Sequence, residues 1–139
     1  MPEADWLVLP RALREEILAH ALEEAPKECC GIVAGHDGVG ERVIRCRNDH
    51  PEPTSRYRVH PDDLREAITP MEDDERELVA IYHSHPRSQA VPSPVDREDA
   101  RRWPRPVYVL ATWRTGAPEL HAYRITELWT REIPIRDRA

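Results

Sequence analysis

His83 and His85, with an acidic residue at Asp96, are the side chains of this 139-residue chain best spaced for chemistry. The two histidines close an apolar run, Leu78-Val79-Ala80-Ile81-Tyr82, whose length and β-branching predict a buried strand. Alternate residues of a strand point the same way, so both imidazoles leave one face, roughly 7 Å apart at the backbone. That spacing lets two ring nitrogens converge on one ion, at about 2.0–2.1 Å each for zinc. Asp96 offers a third, anionic ligand. Two histidines and one carboxylate, with a position left for water, form the ligand set of a catalytic zinc.

A His-x-His on a strand is, by itself, more often a pair of exposed or hydrogen-bonded imidazoles. Here its surroundings favour the metal. Pro86 cannot donate to a sheet ladder, so it ends the strand in a turn. Ser93 followed by Pro94 has the pattern of a helix N-cap with proline at the first helical position. Asp96 then falls in the first turn of that helix, directed back toward the strand end. Far upstream, Pro26 through Gly35 joins a helix to a short, glycine-bounded apolar strand, with Glu28 at its start. A carboxylate there is costly unless it is paired, solvated or functional. Alone it reads as a surface residue at a strand edge; beside an acidified water it is a candidate general base.

Glu28, His83-Ser84-His85-Pro86, and Ser93 and Asp96 at their intervals together resemble the JAMM (MPN+) metalloprotease motif. Pro26 through Gly31 is similar to that family's upstream pattern, and the resemblance runs from about residue 10 to about residue 126. It implies a compact, stand-alone prokaryotic member: one α/β domain over residues 1–139, a single mixed, largely antiparallel β-sheet flanked by helices, with a cytidine-deaminase-like architecture. It implies that His83, His85 and Asp96 ligate one catalytic Zn2+, that Glu28 takes a proton from the attacking water, and that Ser93 stabilises the tetrahedral intermediate. The implied activity is cleavage of the peptide or isopeptide bond after the C-terminal Gly-Gly of a small β-grasp ubiquitin-like or sulfur-carrier protein. The alternative is release of cysteine from a carrier–cysteine adduct in cysteine biosynthesis. Only Arg97 to Pro106 separates Asp96 from the next strand, so recognition of the carrier tail is expected rather than of a polyubiquitin linkage.

Other classes fit less well. A zinc deaminase needs His-x-Glu or Cys-x-Glu and a later Pro-Cys-x-x-Cys, yet no cysteine follows Cys46. A helix-borne His-Glu-x-x-His and a Gly-x-Ser-x-Gly elbow are both absent. A non-enzymatic domain binding carrier tails around a structural zinc would usually close all four positions with protein ligands, and no fourth ligand is evident.

The elements that must position these residues follow from patterning. Pro10 to Glu24 predicts a helix with Leu13, Ile17, Ala21 and Leu22 on one stripe. Residues 28–34 and 41–47 predict a hairpin across Gly35 to Gly40, and 55–59 another strand. Pro61 opens a helix that Pro70 is expected to end or kink, with Asp62 and Asp63 favourably placed against its dipole. After the 78–84 strand come a helix over about 94–102, a strand at 107–113, a turn at 114–118, a strand at 119–126 and an edge strand over 128–135. The site is expected at the sheet's edge. His20, His36, His50, His60 and His121 read as surface or turn residues.

Composition fits a small enzyme: net charge −6, one lysine at Lys27, and positive charge otherwise from arginine. The Arg101-Arg102-Trp103-Pro104-Arg105 cluster reads as a solvated helix end rather than a nucleic-acid patch, since acidic residues flank it. No apolar stretch approaches the ~20 residues that cross a membrane. The acidic start, Met1-Pro2-Glu3-Ala4-Asp5, lacks the layout of a signal peptide, so a cytoplasmic protein is expected. Cys29, Cys30 and Cys46 make no disulfide framework; adjacent on a strand, the first two face opposite ways, and either is a candidate for oxidation beside Glu28. The fold admits a homodimer, for which the sequence carries no signature.

Overall fold

The apolar run that ends in the histidines forms a central strand of a curled sheet. In a computed structural model, residues 5–86, 91–103, 105–113, 116–126 and 128–138 are described. Residues 1–4, residues 87–90 of the loop before Ser93, Pro104 of the basic cluster, residues 114–115 of the expected turn, Glu127 and Ala139 lie outside them. In chain order the elements are β1 (Leu7–Val8), α1 (Arg11–Glu24), β2 (Cys30–His36), β3 (Val39–Cys46), α2 (Pro61–Asp73), β4 (Glu77–Ser84), α3 (Pro94–Asp99) running into a 3-10 turn at Ala100–Arg102, β5 (Val107–Thr112), β6 (Glu119–Ile125), β7 (Thr130–Ile133) and β8 (Ile135–Arg136).

The strands make one mixed sheet in the order β7-β6-β5-β4-β2-β3-β1-β8. Pairing is antiparallel for β2–β3, β2–β4, β5–β6 and β6–β7, and parallel for β4–β5, β1–β3 and β1–β8. β7 and β8 stand at opposite ends of that order, yet only Pro134 separates them in the chain. One residue spans no more than a few ångströms, so the two edges must come together and the sheet must curl. Ion pairs from Asp5, just before β1, to Arg124 at 3.1 Å and Arg131 at 2.6 Å cross the join.

Strand alternation divides the core by face. Val33, Ala80, Tyr82, Val109 and Ala111 pack with Ile17 and Ala21 of α1 inside the curl. Their neighbours face outward, where Cys30, Ile32 and Ala34 meet Ala67 and Met71 of α2, and Ile81, Tyr108 and Leu110 meet Ala100 beyond α3. Cys29 lies in the inner cluster and Cys30 in the outer one, as strand geometry requires. Cys46 faces Cys30 directly across the β2–β3 ladder. All three thiols are free, and burial pushes Cys29 and Cys46 up to about 12 and Cys30 higher still. Oxidation beside Glu28 is thereby disfavoured, since the thiolate is the reactive form.

Several elements differ from the patterning. Residues 55–59 do not form a strand; a single antiparallel bridge joins Val59 to Asn48, because the loop folds back on itself. The edge strand expected over 128–135 divides into β7 and β8, which join opposite ends of the sheet. α2 passes through Pro70 to Asp73, and Asp74 N–H bonds to the Pro70 carbonyl at 3.1 Å. β1 is too short to show a period. β2 begins at Cys30, so Glu28 precedes the strand. The site lies at the end of the central strand β4 rather than at a lateral edge. His20 is buried against Tyr82, whose hydroxyl lies 2.7 Å from its Nδ1, while Leu22 is exposed. No helix among the described residues is long and apolar enough to cross a membrane.

His121 on β6 sits between two carboxylates, with Nδ1 2.7 Å from Glu132 and Nε2 3.1 Å from Glu119. Burial opposes its charge, but the two hydrogen bonds outweigh burial and raise its pKa above the ordinary 6.5. A raised pKa means that His121 stabilises the β6–β7 pair fully below about 6.5, and that the contribution is lost as pH rises through the folded value. The thermal midpoint of the wild type should therefore fall more between pH 6 and pH 9 than that of His121→Gln. Parallel pH profiles would show that the pairing contributes nothing.

Candidate active site

The site is built where β4 ends. His83 pairs with Cys30 of β2 and with Leu110 of β5, which fixes its depth from both sides. His85 lies just past the strand; its N–H donates to the Ala111 carbonyl at 2.8 Å, and its own carbonyl accepts from the Thr112 hydroxyl at 3.1 Å. Between them Ser84 faces the other way. Its Oγ accepts from Cys29 N–H at 2.8 Å, and its N–H donates to the Cys29 carbonyl at 3.2 Å. The residue after Glu28 is thus held to the residue between the histidines. Gly31 permits this close strand packing, because a Cβ there would lie 2.3 Å from the Tyr82 ring.

α3 delivers the third group. Ser93 is its N-cap, with Oγ accepting from Asp96 N–H at 3.0 Å while Ser93 N–H donates to Asp96 Oδ2 at 2.9 Å. This capping box satisfies helix-end donors and aims the carboxylate out of the first turn. Asp96 Oδ1 lies 3.2 Å from His83 Nε2, Asp96 Oδ2 lies 3.0 Å from His85 Nε2, and the two Nε2 atoms are 3.1 Å apart. Glu28, His83 and His85 likewise bring ligand atoms within 4.8 Å of one another.

All four of these residues are buried. Burial lowers the His83 pKa, although Asp96 acts in the opposite direction, so its ring is held neutral with a nitrogen lone pair to offer. Among the described residues its Nδ1 has no hydrogen-bond partner; the ring instead stacks on Tyr57, with centroids 4.2 Å apart and planes 19° apart. Burial pushes the Asp96 carboxyl up, but His83, His85 and the Ser93 N–H outweigh it and hold it well below the usual range. Glu28 goes the other way, pushed up to about 7, mainly by burial, with His85 opposing and Asp96 adding.

The donor set fits a divalent ion. Ligands bound tetrahedrally at ~2.0–2.1 Å stand roughly 3.3 Å from one another, close to the separations among His83, His85 and Asp96. Two imidazoles and an ionised carboxylate also suit zinc-like metals better than calcium or magnesium, which prefer oxygen. A cavity of about 310 Å3 has Tyr57, Val95, Asp99 and Trp103 on its wall, and none of Glu28, His83, His85 and Asp96 lines it.

A family model described as prokaryotic homologs of the JAB domain matches residues 10–126. The chain belongs to this family. It is 46% identical over 106 residues to a probable TtuB-protein conjugate cleaving protease of Thermus thermophilus, covering 76% of this chain and 70% of that protein. It is 36% identical over 132 residues to the CysO-cysteine peptidase of Mycobacterium tuberculosis, covering 93% of this chain and 89% of the peptidase. Among solved structures, protein DSY2949 of Desulfitobacterium hafniense superposes with a TM-score of 0.82 at 28% identity, covering 93% of this chain and 90% of that one. The JAB-family chain thus has the sheet and helices that its motif implied.

The five residues singled out from the sequence, Glu28, His83, His85, Ser93 and Asp96, come together. Tyr57 and Ser84 were not foreseen in the contacts they make. Ser84 carried a signal, since a strand residue between two site residues must face the opposite way; Tyr57 carried none, because loop geometry decides where it points.

An ion bound only by the folded chain stabilises it by mass action. Adding Zn2+ to the metal-free protein should raise its thermal midpoint, and a chelator should reverse the rise. In the His83→Ala/His85→Ala double variant the shift should disappear. A midpoint indifferent to metal in the wild type would mean that these convergent atoms hold no ion.

Proposed function

We propose that this chain is a zinc-dependent hydrolase that cleaves the peptide or isopeptide bond after the C-terminal Gly-Gly of a small ubiquitin-like or sulfur-carrier protein. The observation that carries this reading is the convergence of two imidazole nitrogens and one carboxylate at 3.0–3.2 Å, with a second buried carboxylate beside them. His83, His85 and Asp96 would hold the ion, which when bound supplies Lewis acidity to the scissile carbonyl and to the attacking water. Glu28 then has the work of a general base. With its carboxyl pushed up to about 7 it exchanges a proton near neutral pH, taking one as the water attacks and giving it to the leaving amine. The Ser93 oxygen already accepts from Asp96 N–H, so its own O–H remains to donate to the developing oxyanion. The whole chain serves as one such domain, working in the cytoplasm on a β-grasp carrier whose glycine tail permits close approach of its backbone.

Two leaving groups suit this machinery. The relative from Thermus thermophilus is named for cleaving protein conjugates, and its 46% identity supports a lysine leaving group. The relative from Mycobacterium tuberculosis is named for a CysO–cysteine substrate, and the match extends over 93% of this chain, which supports cysteine. We take removal of carriers from protein lysines as the primary reading.

A mass-spectrometric assay decides between them. A Gly-Gly-ending carrier would be joined to a lysine peptide in one reaction and to cysteine in another, with zinc-loaded wild type and Glu28→Gln side by side. Release that depends on Glu28, faster from the lysine adduct, is the expected result. Ser93→Ala should keep its metal and lose ~10²–10³ in turnover, and Asp96→Ala should lose metal affinity. Intact adducts after incubation with folded, metal-loaded wild type would instead indicate a binding module or an unrelated peptide substrate.

A further inference from the structure

Glu28 is not anchored by the sheet. β2 begins two residues later, and the backbone of Glu28 is satisfied by a loop: its N–H donates to the Pro53 carbonyl at 2.7 Å, and its carbonyl accepts from Asn48 Nδ2 at 3.0 Å. Asn48 stands just past β3, half-buried, and its side-chain amide gathers the loop that follows. Nδ2 also donates to the Arg56 carbonyl at 2.9 Å and lies 3.4 Å from that of Pro53, while Oδ1 accepts from His50 N–H at 3.0 Å and Arg58 N–H at 3.1 Å. Carbonyls meet one end of the amide and N–H groups the other, so the network fixes its orientation. Backbone bonds from Asp49 N–H to the Arg58 carbonyl and from His60 N–H to the Arg47 carbonyl close the loop outside it. The same loop carries Tyr57, the ring stacked on His83.

One side chain therefore ties together both loop-dependent features of the site. Ser84 fixes Cys29 to β4, but among the described residues no sheet hydrogen bond holds the backbone of the residue before it. Without the Nδ2 bond, the Glu28 carbonyl and the Pro53 turn that receives its N–H would lose their common tether. We propose that Asn48 is a positioning residue for hydrolysis: by binding the Glu28 carbonyl and gathering residues 49–58, its amide sets the Glu28 carboxylate at working distance from His83 and His85 and keeps Tyr57 against the His83 ring. The proposal rests on the assignment of Glu28 as the base.

Asn48→Asp tests it, because the substitution keeps an oxygen for His50 and Arg58 N–H and removes the donor to Glu28. Four quantities would be compared with wild type: zinc affinity by chelator competition, kcat and KM on the carrier adducts, and exchange of the Glu28 amide by NMR. Zinc affinity and KM should stay within about threefold, whereas kcat should fall ~10–100-fold, the scale expected when a catalytic group is displaced by about an ångström. The Glu28 amide should exchange faster. An unchanged kcat, an unchanged Glu28 amide, or a kcat loss matched by lost zinc affinity would each overturn the role of Asn48. Asn48→Ala is read in the same way if Asn48→Asp loses its native circular dichroism spectrum. Failure of the wild type on both adducts would strike the proposed activity, whereas normal wild-type cleavage with an unimpaired Asn48→Asp would strike only this inference; the amide exchange is read in either case.

Discussion

The register between β2 and β4 is the constraint on which the site depends. Cys30 opposes His83 and Gly31 opposes Tyr82, so the start of one strand and the end of the other meet at a single level. Side chains in a sheet alternate with a period of two, and a slip of one residue would turn both histidines into the α1 side of the core. Two features hold the register. Tyr82 lies against Gly31, where any Cβ would collide with its ring. Ser84 meets the Cys29 backbone through both its side chain and its N–H. The core packing that orders the sheet thereby also sets the level of Cys29 against the imidazoles, while the loop that follows β3 holds the Glu28 backbone.

Burying four ionisable residues together is unfavourable unless each has a partner. Here the group solves the problem collectively, and unequally. Asp96 keeps its charge because two imidazoles and a backbone N–H face it. Glu28 is driven toward the protonated form mainly by burial, with that anion adding and His85 opposing. Two carboxylates with separated proton affinities are a general means of assigning acid–base roles. The capping box at α3 makes this economical in structure, since one turn of helix orients both the Asp96 carboxylate and the Ser93 hydroxyl.

Curling of the sheet gives the site a firm floor. With its edges drawn together by the short β7–β8 connection, the sheet wraps α1, and Ile17 and Ala21 fill the interior. His20 reaches Tyr82 from that helix at 2.7 Å, placing a buried hydrogen bond one residue before His83. On the opposite face, α2 and the turn after α3 cover the outer core, and Tyr57 bridges the two outer clusters beneath the 48–58 loop.

Local chemistry was legible in the sequence. The His-x-His at the end of an apolar run, the Ser-Pro helix start and the Asp in its first turn each obey a period or capping rule that acts over a few residues, so their local geometry could be read directly. The mixed sheet and most of its strands followed from the same periodicities, and the family resemblance joined Glu28 to them. What remained hidden depends on contacts distant in the chain. The division of residues 128–135 between two ends of the sheet follows from its curl, which is a property of the whole strand order. The burial of His20 depends on what stands opposite α1, and the placement of Asn48 and Tyr57 depends on a loop whose hydrogen bonds obey no period. The sequence by itself determined which groups could do the chemistry and which local elements present them; only the tertiary structure decided how deeply they are buried, and with that their proton affinities, because desolvation is set by everything packed around a group rather than by its neighbours in the chain.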